Sequence, residues 1–297
     1  TLRKRTTNGD EFAFSMPFSN GIKGKQFVSF NTFQPSLKAE DASNLVANWI
    51  QITNKSDDNA ESGQLTYYDI RGTQLLTKSV TIAAGARKDL SAHQFGANKI
   101  GLVEWNPTNP NAYFQMRNVR YIYDNPQGLP TFDAAFQMEG TVGTGELLSV
   151  PLDTSTGSSI VEVSNVLNSI VSVTVKVYNA AGQLKATLPI GLNPRQSHHV
   201  ITDSYLNGEK GLATIDATQA SSVIATVMQY GRDDQGGVAY MYGVEAKQAF
   251  GNVLRSSYNT YLNQGCTLLL SNPTSTSRNA SVTMTRTDGN VTLAGHG

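Results

Sequence analysis

The sequence predicts an all-β chain: tandem antiparallel β-sandwiches, two complete modules followed by part of a third. Three observations predict it. A pattern of residues recurs about every 110 positions. Apolar and polar residues alternate with period two, and turn-forming residues separate these stretches at regular intervals.

The repeat comes first, because a missed repeat misreads the whole fold. Ile50-Gln51-Ile52-Thr53-Asn54 resembles Val161-Glu162-Val163-Ser164-Asn165, and both resemble Leu268-Leu269-Leu270-Ser271-Asn272. The three asparagines lie 111 and 107 residues apart. Downstream, Tyr67-Tyr68-Asp69-Ile70-Arg71-Gly72 matches Val177-Tyr178-Asn179-Ala180-Ala181-Gly182, with Thr285-Arg286-Thr287-Asp288-Gly289 as the third copy. Those glycines are 110 and 107 apart. Lys99-Ile100-Gly101-Leu102 corresponds to Lys210-Gly211-Leu212, and Tyr121 to Tyr230.

The strands follow from the alternation. Val171, Val173, Val175 and Val177 are interleaved with Ser172, Thr174 and Lys176, the pattern of a strand with one buried and one wet face. Ile50 and Ile52, Val80 and Ile82, Val223, Ala225 and Val227, and Val282 and Met284 repeat it. Ala84-Gly85-Ala86, Ala180-Ala181-Gly182-Gln183, Asn193-Pro194, Asn207-Gly208 and Asp234-Gln235-Gly236-Gly237 supply turns between them. Leu37–Trp49 fits a short helix.

A strand ending in Asn, an alternating strand, a Tyr-Asn-Ala-Ala-Gly-Gln-Leu hairpin and a Pro- or Gly-containing turn together resemble the tandem immunoglobulin-like or fibronectin type III-like modules of exported bacterial surface proteins. The resemblance implies immunoglobulin-like sandwiches in tandem, of the kind used in stalks, adhesins, filaments, surface layers and glycan binders. It implies no catalytic residues. On this reading residues 1–130 form the first module with an N-terminal extension, 131–247 the second, and 248–297 the first half of a third. Half a sandwich leaves open edges and an uncovered apolar face. Truncation accounts for that half, and so does completion by strands of another chain.

Composition narrows the function. The 297 residues carry 23 basic and 23 acidic side chains, an even balance that argues against a nucleic-acid binder. Charged residues make up 15%, against about 25% in an average chain. No apolar run approaches the roughly 18 residues of a membrane-spanning helix. The chain starts at Thr1 without a signal peptide, which reads as a processed or excised piece. Low charge and abundant Ser, Thr, Asn and Gly accord with an exported surface protein. The single cysteine, Cys266, excludes an internal disulfide and reads as a small buried hydrophobe.

Motifs that carry chemistry are missing. There is no metalloprotease histidine pair, no Gly-x-Ser-x-Gly elbow and no phosphate-binding loop. Gly140-Thr141-Val142-Gly143-Thr144-Gly145 has the wrong spacing for a dinucleotide fingerprint and reads as a loop entering the second module. His198 and His199 are adjacent on a strand, so they point to opposite faces and do not share an ion. Lys88 and Asp89 occupy their places in the first copy, which suggests surface positions. His93 and His296 stand alone. Asp57, Asp58 and Glu61, in the loop Asn54–Gly63, are the calcium candidates, although a solvated hairpin tip explains them equally. Asp233 and Asp234 belong to a turn. Sequons occur at Asn54, Asn279 and Asn290.

No cofactor is expected, and the chain reads as non-enzymatic. The leading expectation is an exported structural or adhesive subunit of a surface layer, sheath, filament or stalk, which associates with itself or with neighbouring modules. Its interface candidates are Leu268, Leu269, Leu270, Val282, Met284, Tyr258 and Tyr261. The alternative is a glycan-binding accessory region of a larger secreted protein, stacking sugars on Trp105, Tyr113, Tyr240 and Tyr242.

Overall fold

The computed structural model describes residues 2–5, 11–14, 20–33, 46–124, 131–144, 147–232, 238–248, 268–285 and 291–296. The chain divides into two compact units, Thr1–Ala249 and Phe250–Gly297.

The first unit opens with a hairpin, β1 (Leu2–Arg5) and β2 (Glu11–Phe14). The first sandwich follows: β3 (Ile22–Lys23), β4 (Gln26–Asn31), β5 (Val46–Asn54), β6 (Glu61–Asp69), β7 (Gln74–Ile82), β8 (Arg87–Ser91), β9 (Ile100–Pro107), β10 (Tyr113–Asp124) and β11 (Thr131–Glu139). Its sheets run β4-β9-β6-β7 and β11-β10-β5-β8, with β3 attached to β10. The second sandwich comprises β12 (Leu148–Asp153), β13 (Gly157–Asn165), β14 (Val171–Asn179), β15 (Leu184–Leu192), β16 (Ser197–Ile201), the helical turn α1 (Asp203–Leu206), β17 (Lys210–Ala217), β18 (Val223–Arg232), β19 (Val238–Glu245) and β20 (Lys247–Gln248). Its sheets run β15-β14-β17-β12-β20 and β16-β13-β18-β19. The second sandwich therefore repeats the strand order of the first, and the described ladders are antiparallel.

Alternation builds each core. The valines of β14 face inward and join Leu148, Val150, Val161, Val163, Ala213 and Ile215, all nearly inaccessible to water. Burying one such side chain contributes about 1.5–3 kcal/mol relative to leaving it exposed. The first core is more aromatic. The Tyr67 ring centroid lies 5.1 Å from that of Phe95, and Trp105 lies 5.1 Å from Phe114.

The strand-ending asparagine explains why the repeat keeps it. Asn54 Oδ1 accepts the Ser56 N–H at 2.9 Å, and its Nδ2 donates to the carbonyls of Asn59, Ile82 and Ala83 at 2.8, 3.1 and 3.2 Å. Asn165 does the same with the Leu167 N–H and the carbonyls of Ser169, Leu192 and Asn193. One side chain thus closes its own loop and ties it to the far end of the adjacent hairpin. Buried polar groups left unpaired would be costly there.

The first module extends further than the spacing implied. The boundary expected at residue 130 is corrected by β11, which pairs along its length with β10 in the first module's sheet. The crossover lies between Glu139 and Leu148. A repeat length sets spacing but not phase, so it does not tell whether a strand near residue 131 closes one module or opens the next. Of the helix expected over Leu37–Trp49, the described end, Val46–Trp49, is strand β5.

In the second unit, β21 (Ser281–Thr285) and β22 (Val291–His296) form a hairpin. Its register shifts at Met284/Thr285, as β6–β7 does at Tyr67/Tyr68 and β14–β15 at Val177/Tyr178. Asn272 Oδ1 accepts the Thr274 N–H, and its Nδ2 donates to the Thr276 carbonyl at 2.7 Å. This is the local half of the Asn54 and Asn165 pattern. Leu268–Leu270, read from the repeat as a strand, lie in no strand and are 57, 54 and 55% exposed. Their counterparts in β5 and β13 each sit between two partner strands, whereas the described ladder of this unit is β21–β22 alone.

Candidate functional site

The side chains that point away from each core decide how the two sandwiches of the first unit meet. On the first, these are Phe27, Ser29 and Asn31 of β4, Leu102 and Glu104 of β9, and Tyr68 of β6. On the second, they are Glu162 of β13 and Ile224, Thr226, Met228 and Tyr230 of β18. In an isolated sandwich this face would be wet. Here Phe27, Leu102, Val166 and Ile224 form a buried cluster flanked by Tyr68. Met228, Tyr230 and Met241 also enter the first sandwich's core beside Phe136 and Met138. The linker joins both sides: Thr141 exchanges backbone hydrogen bonds with Phe27, and the Thr144 N–H donates to the Val223 carbonyl.

Two polar groups sit inside this junction. In the first, Arg195 Nη2 lies 2.8 Å from Glu104 Oε2, with both side chains almost fully buried. Lys25 Nζ approaches Glu104 Oε1 at 3.0 Å, and the Tyr68 hydroxyl donates to Oε2 at 3.4 Å. Arg195 also donates to the Val166 carbonyl and lies over the rings of Phe27 and Tyr68 at 5.4 and 5.8 Å. A buried carboxylate needs such partners, because desolvation penalises the bare charge by several kcal/mol.

In the second group, Asn31 Nδ2 donates to Glu162 Oε1 at 2.7 Å and the Thr226 hydroxyl donates to Oε2 at 3.4 Å. His199 Nε2 lies 3.5 Å from the same carboxylate. Arg120 is fully buried nearby. It donates to the carbonyl and hydroxyl of Ser29 and contacts Met228 Sδ at 3.2 Å. Burial holds its pKa below the usual guanidinium value, and Glu162 acts in the opposite direction. Burial, and next the Glu162 charge, push the Tyr230 hydroxyl up.

A cleft of about 220 Å³ follows the linker, lined in part by Ser29, Glu139, Thr141, Thr226 and Glu245. It holds two acidic residues. The Glu139 N–H donates to Glu245 Oε1 at 2.8 Å. Burial raises the Glu139 pKa and Glu245 adds to this, while Arg117, 2.7 Å away, and Gln115 oppose it. Arg117 and Gln137 contact one oxygen and Gln115 the other, so three donors tie this carboxyl group to its own strand and to β10.

The residues singled out by sequence fall elsewhere. Trp105, a candidate for sugar stacking, is a correction: it is fully buried in the first core. Its strand has both faces covered, one by its own sandwich and one by the next, so alternation with Glu104 and Asn106 gave no outward direction. Tyr113 is 48% exposed, with Lys23 Nζ 4.8 Å above its ring, and Tyr242 is 42% exposed on the other sandwich. Asp57 and Asp58 are exposed at a hairpin tip, Glu61 accepts from Asn109 Nδ2, and no metal-binding group occurs among the described residues. His93 Nδ1 is satisfied by the Asn48 backbone. His198 is exposed, but His199 is turned towards Glu162 in the junction. Val282 and Met284 are half-buried in β21. The amide of Asn54, the first sequon, is consumed internally, while Asn279 is exposed. Tyr258, Tyr261, Cys266, Asp233, Asp234 and Asn290 lie outside the described residues, as does the side chain of Tyr240.

No family model matches the chain, and no curated protein matches it. Among solved structures, a Bacteroides fragilis protein assigned as a β-galactosidase aligns with a TM-score of 0.19 and 11% identity, over 80% of this chain and 36% of that one. A β-glucuronidase from glycoside hydrolase family 2 aligns at 0.16 and 9%, over 77% and 24%. A Bacteroides uniformis β-glucuronidase aligns at 0.15 and 11%, over 75% and 26%. The chain spans about a quarter to a third of the length of these proteins. Likenesses this low carry no argument about activity.

Proposed function

We propose that the chain is a non-enzymatic structural or adhesive element of an exported surface protein, in which tandem immunoglobulin-like sandwiches act as a stiff spacer and associate with neighbouring modules or copies. The observation that supports it is the junction. Two sandwiches bury their outward faces on each other through an apolar cluster and two charged groups, and a spacer that transmits load benefits from such a joint. The even charge balance and the exposed Leu268–Leu270 run accord with association through apolar surface rather than with steering of charged ligands.

Light scattering of the chain across a concentration series, with electron microscopy of the same samples, tests the reading. Ordered oligomers or filaments are the expected result. A strict monomer that retains sugars from a glycan panel would overturn it in favour of a glycan-binding accessory region.

A further inference from the structure

The two sandwiches share a strand order, so equivalent positions can be compared directly. Arg195 and Gly85 occupy the same place in the same turn, between β15 and β16 in one sandwich and between β7 and β8 in the other. Both are left-handed, with φ of 59° and 64°. Glycine adopts this conformation freely, whereas a residue with a Cβ incurs a steric penalty. Gly85 shows that the turn forms without a side chain, and a Cβ added there would meet nothing within 4 Å, so no steric contact sets which residue stands at this position.

Arg195 uses that strained position to place its guanidinium on Glu104. The counterpart of Glu104 in the second sandwich, judged by its place opposite Lys176, is Thr214. Glu162 corresponds likewise to Gln51, and Asn31 to Asp153. The core positions of the repeat keep their apolar character, while the charged contacts of the junction each occur once. The first sandwich lacks the arginine, and the second lacks the glutamate.

We propose that Arg195 and Glu104 form a keyed joint that specifies which sandwich follows which: the partner recognised by the outward face of β4, β9 and β6 is a module that carries arginine at the left-handed position of its β15–β16-type turn. The inference rests on the tandem-spacer reading. A complementary ion pair inside an otherwise apolar interface contributes more to selecting the partner than to raw affinity, because the wrong neighbour leaves Glu104 buried with the flexible Lys25 as its cationic partner. Strain retained at a functional position is consistent with selection for the side chain.

The test uses the full chain and residue swaps taken from the sister module. Arg195→Gly keeps the turn and removes the guanidinium; Glu104→Thr installs the residue that the second sandwich carries. Hydrogen exchange reports the joint at Ser197, whose N–H donates across it to the Ile70 carbonyl at 3.0 Å. Each substitution is expected to speed exchange at Ser197 by about tenfold or more, and the double variant to exchange no faster than the single ones. Exchange within β14 stays unchanged. Unaltered exchange at Ser197, independent additive effects, or equal acceleration within β14 would each overturn the proposal. None of these outcomes depends on whether the chain forms filaments or binds glycans, so failure of the joint is distinguishable from failure of the functional reading.

Discussion

Trp105 fills the space that Gly63 leaves empty: a Cβ on Gly63 would lie 2.6 Å from Cζ2 and Cη2 of the indole. The two are diagonal neighbours across β6 and β9, where Gly63 is paired with Pro107 and Leu65 with Trp105. Gly63→Ala is expected to destabilise the protein by about 1–3 kcal/mol, because the indole has no free volume to enter. Urea unfolding followed by tryptophan fluorescence reads both the midpoint and the loss of the buried indole signal.

Asn165 serves three carbonyls from one amide. Asn165→Ala removes this donor from the Leu192 carbonyl in a buried setting, while the Asn193 carbonyl keeps the Gln196 N–H, a loss of about 1–3 kcal/mol. Asn54→Ala should behave alike. The unfolding midpoint of each variant checks this, and proteolysis should cut first in the loop after the altered residue.

Glu162 is the acceptor for Asn31, and its charge opposes the effect of burial on the Arg120 guanidinium. Glu162→Ala is expected to cost about 3–5 kcal/mol, since it leaves a buried cation uncompensated. Glu162→Gln, which keeps an oxygen for Asn31, should fall between it and the parent. Denaturant titration of the three proteins ranks them.

Glu139 carries a folded-state pKa above the ordinary 4.5. A carboxyl raised on folding binds its proton more tightly in the native state. Its contribution is complete below 4.5 and is lost as pH rises through the folded value. Stability measured over that window should decline with increasing pH, and Glu139→Gln should flatten the decline. An unchanged slope in the variant would contradict the assignment.

Leu268 and Leu270 are more than half exposed. Replacing both with Asp should leave the unfolding free energy within about 0.5 kcal/mol of the parent, as for other surface changes. The same variant should lower the mass seen by light scattering at high concentration.

The repeat and both sandwiches were legible because core positions recur: Ile50, Val161 and their neighbours meet the same packing demand in each copy. The end of the first module was not, since β11 carries no signal that distinguishes a closing strand from an opening one. The junction was harder to see. Arg195 reads as an ordinary polar turn residue and Glu104 as the wet face of a strand. The available signal was the mismatch between sister positions. The mismatch between His199 and Asp89 suggests a variable surface position, yet His199 faces Glu162 of the junction.

The first sandwich borrows Met228, Tyr230 and Met241 to finish its interior. During synthesis, its last strand leaves the ribosome about a hundred residues before those side chains do. At roughly 5–20 residues per second the nascent sandwich stands open on one side for about 5–20 s. For that interval Phe136 and Met138 are accessible to chaperones or to a neighbouring nascent chain, so the timing of translation becomes part of how this pair of domains folds.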